Sequence, residues 1–223
     1  MRKERIWELD AVRGLCILGM IGVHLVYDLR LPVGPVFAFV QNWGGVLFFL
    51  LSGLCVTLGS RPGRRGAQVL GAGLLCTAVT WVMAALSLLP AQMVIRFGVL
   101  HCLGLCMLLW PVFQKLPVWH LTALGAVFAA LGIWLTEWVA VDFSGFAWLG
   151  LPYPGYTSGD YFPLLPYLGF FLLGAVLGRV LYREKKSLLP PMGNFLLFRA
   201  LQWCGRHALI LYLLHQPVLM LFL

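Results

Sequence analysis

Long apolar runs, broken by short segments rich in Pro, Gly or charge, set the pattern of this chain. A helix needs about 20 consecutive apolar residues to cross a bilayer. Seven such stretches are expected, at about 11–29, 43–59, 67–89, 95–114, 119–139, 162–182 and 204–222. The breaks between them are LPVGP at 31–35, SRPGRRG at 60–66, Pro90, KLP at 115–117, the aromatic Gly/Pro segment 142–160 and the basic stretch 183–199. These carry the usual punctuation of loops. Lipid offers no hydrogen bonds to an exposed backbone, so spans of this kind are helical. The pattern predicts an all-α, polytopic transmembrane helix bundle of about seven spans, with 1–223 forming a single domain. No internal repeat is visible.

Composition supports the same picture. The chain has 223 residues, 61% hydrophobic and 11% charged, well below the charged fraction of about 25% in soluble domains. Charge also gives an orientation. Fourteen of the sixteen Lys and Arg residues fall on one side of the seven spans, and only Arg30 and Arg96 fall on the other. Basic loops stay in the cytoplasm, so the N-terminus is expected inside and the C-terminus outside. The net charge of +8 then reflects topology, and no nucleic-acid partner is expected. The basic start lacks a small-residue cleavage site, so Met1–Asp10 reads as a cytoplasmic lead-in to a retained first helix.

Candidate chemistry concentrates in the first span, RIWELDAVRGLCILGMIGVHLVYDLR. It carries Asp10, Arg13, His24 and Asp28, and a charge at the centre of an inserted helix costs roughly 2.5–3.5 kcal/mol. His24 and Asp28 are four residues apart and so share a helix face. His24 lies about 20 Å along the helix from Ala11, in the outer half of a core about 30 Å thick. A carboxylate that orients an imidazole is the minimal kit of a general base. Arg96 opens the fourth span against the charge trend and should have a partner: Asp28, Asp160 or an anionic group of a ligand. His101 follows about 7 Å deeper. His215 lies near the middle of the last span, two residues before Pro217, which removes a backbone donor. Asp160 precedes the sixth span and suits its N-cap. Tyrosines and tryptophans near the outer face fit interfacial anchoring, and sugar stacking is the alternative.

The six cysteines lie in or beside the spans and show neither a disulfide framework nor zinc spacing. No P-loop, HExxH, G-x-S-x-G or Rossmann glycine pattern is present, and no metal is expected.

Five motifs in order resemble a known family. They are R-I-x-E-L-D-A-V-R-G-L-C-I-L-G-M at Arg5–Met20 with His24 and Asp28, FFLLSG at 48–53, IRFGVLHCLG at 95–104, DYFPLLPYLG at 160–169 and LYLLHQPV at 211–218. Together, over about 5–218, they look like bacterial members of the transmembrane acyltransferases related to the heparan-α-glucosaminide N-acetyltransferase catalytic domain. The resemblance implies a multi-pass protein of a bacterial inner membrane that moves an acetyl group from cytoplasmic acetyl-CoA to an extracytoplasmic acceptor, such as a cell-envelope glycan or amino sugar. It implies His24 as general base or acyl carrier, oriented by Asp28, with Arg96, His101, His215 and Asp160 near the acceptor or oxyanion. Arg13, beside Asp10, and the loop arginines Arg61, Arg64 and Arg65 would attract the CoA phosphates, and the pantetheine arm would run past Gly14, Gly19 and Gly22. The family's lysosomal enzyme has Asn at the position of His24 and places its catalytic His in the next outer loop. Loop 30–42 here has none.

Two other classes fit parts of the pattern. A bis-histidine haem protein would use two of His24, His101 and His215. A small membrane transporter or lipid-binding scaffold would also keep polar groups near the midplane.

Overall fold

The computed structural model describes residues 5–139, 141–190, 192 and 195–222. Arg2 and Lys3, counted above among the basic residues of the inner side, lie outside the described residues. The described chain is helical, with eight α-helices: α1 Trp7–Asp28, α2 Pro35–Val56, α3 Pro62–Ala85, α4 Val99–Phe113, α5 Val118–Trp138, α6 Leu164–Leu181, α7 Leu196–Arg206 and α8 Ala208–Phe222. Five of them, α1, α2, α3, α5 and α6, are long and apolar enough to cross a membrane, and α4 and α8 are shorter apolar helices. These seven helices overlap the seven expected stretches, five of them long enough to span, and the chain is a polytopic helical membrane protein.

The boundaries differ most from the sequence expectation at two places, and α3 also begins early, at Pro62, inside the expected SRPGRRG break. Helix α2 begins at Pro35, eight residues before the expected start. Proline at a first helical position is preorganised for helix, and Gln41 and Asn42 continue the helix instead of ending it. The last expected span, 204–222, is divided: α7 ends at Arg206 and α8 starts at Ala208. Helix α7 is amphipathic, mixing Arg199, Gln202 and Arg206 with apolar residues, so its hydropathy is too low to read as part of a span.

The chain forms two compact units: the first holds the segments Met1–Leu51 and Val180–Leu223, the second Ser52–Arg179. In the first unit, α7 crosses α1 at a glycine pair. A Cβ on Gly14 would overlap the Leu201 carbonyl, and one on Gly205 would overlap the Asp10 carbonyl. Trp7 packs edge-on to Phe198 at 5.4 Å. Tyr27 packs on Phe37 at 5.6 Å and accepts a hydrogen bond from Gln41, which joins α1 to α2.

The second unit is built on close helix pairs. A Cβ on Gly104 of α4 would run into the Leu70 backbone of α3, and Gly169 of α6 lies against Ala129 of α5. Small residues allow such approach where the surrounding lipid supplies no hydrophobic drive for association. Arg179, which reads in the sequence as a topological charge, lies over the Trp110 ring at 5.3 Å. It donates to the Leu116 carbonyl at 2.6 Å and to the Gln114 carbonyl, closing the C-terminal end of α4.

Candidate functional site

In the first unit, α1 and α8 bring two histidines together. The His24 and His215 rings have centroids 4.8 Å apart, inclined at 59°. The ring nitrogen Nδ1 of His215 lies 2.5 Å from the Tyr212 carbonyl oxygen. A carbonyl only accepts, so Nδ1 carries the proton and Nε2 presents its lone pair. That Nε2 is buried and has no hydrogen-bond partner among the described residues. The sequence spacing pairs His24 with Asp28, but among the described residues no hydrogen bond joins them. The Asp28 carboxylate instead accepts from Gln216 Nε2 at 3.1 Å. The reason is the neighbouring helix: α8 presents Gln216 to the face of α1 that carries Asp28.

At the other end of α1 the acidic groups are structural ties. Asp10 is buried and accepts from Arg13 at 3.0 Å, with Arg206 of α7 at 3.4 Å and Arg5 at 3.5 Å. Arg206 also donates to Gln202 at 2.9 Å. Asp10, expected with Arg13 to meet a nucleotide, is bonded to Arg13 and, through Arg206, fastens α7 to α1. The expected glycine groove along α1 is likewise filled at Gly14, where α7 crosses; only Gly22 faces open space. Glu8, which the sequence marks only as an inner charge, is buried and accepts from the Leu188 amide at 2.8 Å, Ser187 at 2.6 Å and Tyr182 at 3.3 Å.

In the second unit, His101 is held on both sides. Thr77 gives its hydroxyl proton to the Ile95 carbonyl at 2.7 Å, so its oxygen accepts from His101 Nε2 at 3.1 Å. Nδ1 accepts the Gly98 amide at 3.2 Å. Both ring nitrogens are committed, which fixes a neutral imidazole with the proton on Nε2. With the His24 and His215 rings too close for a macrocycle between them, the geometry gives no support to a bis-histidine haem.

Asp160 caps a helix, but not the one that follows it in sequence. Its Oδ2 accepts the Val99 amide at 2.9 Å, at the N-terminus of α4, and a Cβ on Gly98 would overlap this carboxylate. Helix α6 starts only at Leu164, next to a cis Leu165–Pro166 bond. The loop before it is laced to the strand-like segment before α4, with Phe162 N–H bonded to the Phe97 carbonyl and Gly159 N–H to that of Val94.

Arg96 sits in this lacing. Its backbone N–H donates to Ser158 at 3.1 Å, its guanidinium donates to the Tyr153 hydroxyl at 3.0 Å, and it lies 5.8 Å from the Tyr156 ring centre. The expected carboxylate partner is missing: no described Asp or Glu lies within ion-pair distance of Arg96. Beside it opens a shallow cleft of about 390 Å³, lined by Gln92, Tyr156, Thr157, Ser158 and Tyr161. Burial pushes the Tyr156 phenol up, partly offset by Ser158 and Arg96, and pushes the Tyr161 phenol up more strongly. Tyr161 donates to the Ala147 carbonyl at 2.8 Å.

Arg61, Arg64 and Arg65, at the start of α3, are all exposed, and no described carboxylate pairs with them. Such guanidinium groups suit a polyphosphate. The residues sequence reasoning overlooked are Gln216, Tyr212 and Thr77. Gln216 and Tyr212 had a local signal, as neighbours of His215 in the LYLLHQPV motif.

No curated protein and no solved structure matches the chain. A family profile does, over residues 5–217, nearly the full length. The protein belongs to the heparan-alpha-glucosaminide N-acetyltransferase, catalytic, family.

Proposed function

We propose that this protein is an acyl-CoA-dependent membrane acetyltransferase. It takes an acetyl group from acetyl-CoA on the cytoplasmic face and transfers it to a hydroxyl or amine of a cell-envelope glycan or amino sugar on the opposite face. In this reading the membrane is a bacterial inner membrane, as the motif resemblance implies. Family membership supports the reaction class. The observation that carries the assignment of residues is the His24–His215 pair, with the His215 Nε2 lone pair buried and uncommitted.

The donor supplies the acyl group as a thioester. This chain supplies the proton handling. An imidazole of the pair takes the proton of the acceptor O–H or N–H as that heteroatom bonds to the acyl carbon, and returns it to the leaving thiolate. His24 is the assigned base. His215, its tautomer set by the Tyr212 carbonyl, is the second member, and its lone pair accepts a proton passed on from His24. Asp28 acts on this pair through Gln216, which neighbours His215 in α8. Arg61, Arg64 and Arg65 receive the phosphates of the donor; they suit that role better than Arg13, which Asp10 already engages.

The test uses purified protein with isotopically labelled acetyl-CoA and a cell-envelope extract, with label on the acceptor read by mass spectrometry. Transfer is expected from the wild type, with a loss of about 10²–10⁴-fold in His24→Ala, the range of a general base. Unchanged turnover in His24→Ala would remove that residue from the mechanism.

A further inference from the structure

The proton transfer proposed for the histidine pair assigns no step to Arg96 or to the cleft beside it. The guanidinium is exposed, is held by a phenol rather than a carboxylate, and borders a depression whose lining is hydroxyls, one amide and two aromatic faces. Its depth is also informative. Arg96 lies three residues before the first turn of α4, and Gly98 caps that helix. Three extended residues reach about 10 Å at most. The headgroup layer begins at the edge of the hydrocarbon core and is about 5–8 Å thick on each side. Taking α4 as a span whose first turn meets the hydrocarbon edge places Arg96 within the headgroup layer, where lipid phosphates are the nearest anions.

The segment leading to the cleft is apolar and uncovered. Leu86, Leu88 and Met93 are 64%, 67% and 51% exposed, and Gln92 of the cleft lies on the same short connection between α3 and α4. A cation and hydroxyls thus adjoin a surface suited to acyl chains. That combination matches an amphiphile better than a free sugar or a free anion.

We propose that this cleft binds the headgroup of a membrane lipid whose phosphate carries a hydroxylated group, such as a phosphatidylglycerol. The phosphodiester lies on Arg96, and the headgroup hydroxyls meet Gln92 and Ser158 against the Tyr156 ring. The acyl chains lie along Leu88 and Met93. Arg96 is a point of lipid selection.

The test is lipid binding by native mass spectrometry on the purified full-length protein, with no acyl donor present, so its outcome is independent of acyl transfer. The probes are dioleoyl phosphatidylglycerol, dioleoyl phosphatidylcholine and free glycerol 1-phosphate. The wild type is expected to hold one phosphatidylglycerol at least fivefold more tightly than phosphatidylcholine. Arg96→Gln should lose that preference, Arg96→Lys should recover part of it, and Lys115→Gln, at an exposed position after α4, should keep it. Thermal melting of each variant checks folding, and Gln92→Ala, at an exposed position, serves if Arg96→Gln does not fold. Equal retention of the lipid by wild type and both the Arg96→Gln and Gln92→Ala variants would overturn the proposal. So would equal affinity for the choline lipid, or binding of glycerol 1-phosphate as tight as that of the whole lipid.

Discussion

Replacing Glu8 by alanine should loosen the first unit. The residue is 6% exposed, and its carboxylate accepts three hydrogen bonds, from the Leu188 amide at 2.8 Å, Ser187 at 2.6 Å and Tyr182 at 3.3 Å. These tie α1 to the segment after α6. A hydrogen bond to a charged group contributes about 1.5–3 kcal/mol, and a buried donor left unpaired costs about 1–3 kcal/mol. Tyr182 is buried, whereas Ser187 and Leu188 are exposed and recover water when the carboxylate is removed, so the three bonds do not add in full. The net loss is about 2–4 kcal/mol, or roughly 5–15 °C in melting temperature for a chain of this size. Glu8→Gln keeps the shape and one acceptor, so it should lose less than half of this. The assay is thermal unfolding of the detergent-purified variants by tryptophan fluorescence, with hydrogen exchange across 182–189 as the local readout. A Glu8→Ala protein with wild-type melting and wild-type protection of 182–189 would refute the reasoning.

Two further outcomes follow from the second unit. Asp160→Ala removes the cap from α4 and should cost about 1 kcal/mol, whereas Asp160→Asn keeps an acceptor and should cost less; melting of the pair checks this, and equal losses would contradict the cap. Tyr156 and Tyr161 are held protonated by burial. A phenol raised in the folded state contributes stability that is fully present below its ordinary value of 10.0 and is lost as pH rises above it through the folded value. Ultraviolet titration should therefore show late-ionising phenols, with fewer of them in Tyr161→Phe.

The spans were legible because a membrane helix announces itself by hydropathy alone, residue by residue, with little help from tertiary context. What hydropathy cannot carry is the partner of a polar group. His24 and Asp28 share a helix face, so spacing joins them, yet Gln216 comes from 188 residues away to take the carboxylate. Asp160 reads as a cap for the helix after it because a local rule knows only local helices, and the one it serves begins 61 residues earlier. Helix α7 was missed for a related reason. Its arginines look like loop charges until Arg206 is seen on Asp10, and its glycine gains meaning only opposite Gly14. His215 could be placed at mid-depth from sequence. That its ring meets His24 required knowing that α8 lies beside α1.

The central claim is that the His24–His215 pair moves the proton in acyl transfer across the membrane. It is tested most directly in proteoliposomes with labelled acetyl-CoA supplied on one side and an amino sugar acceptor on the other. Label should cross to the acceptor with the wild type. In His24→Ala and His215→Ala, both with wild-type melting, it should fall by at least about 10²-fold. Transfer at the wild-type rate by either variant, or label that never leaves the donor side with the wild type, would contradict the account.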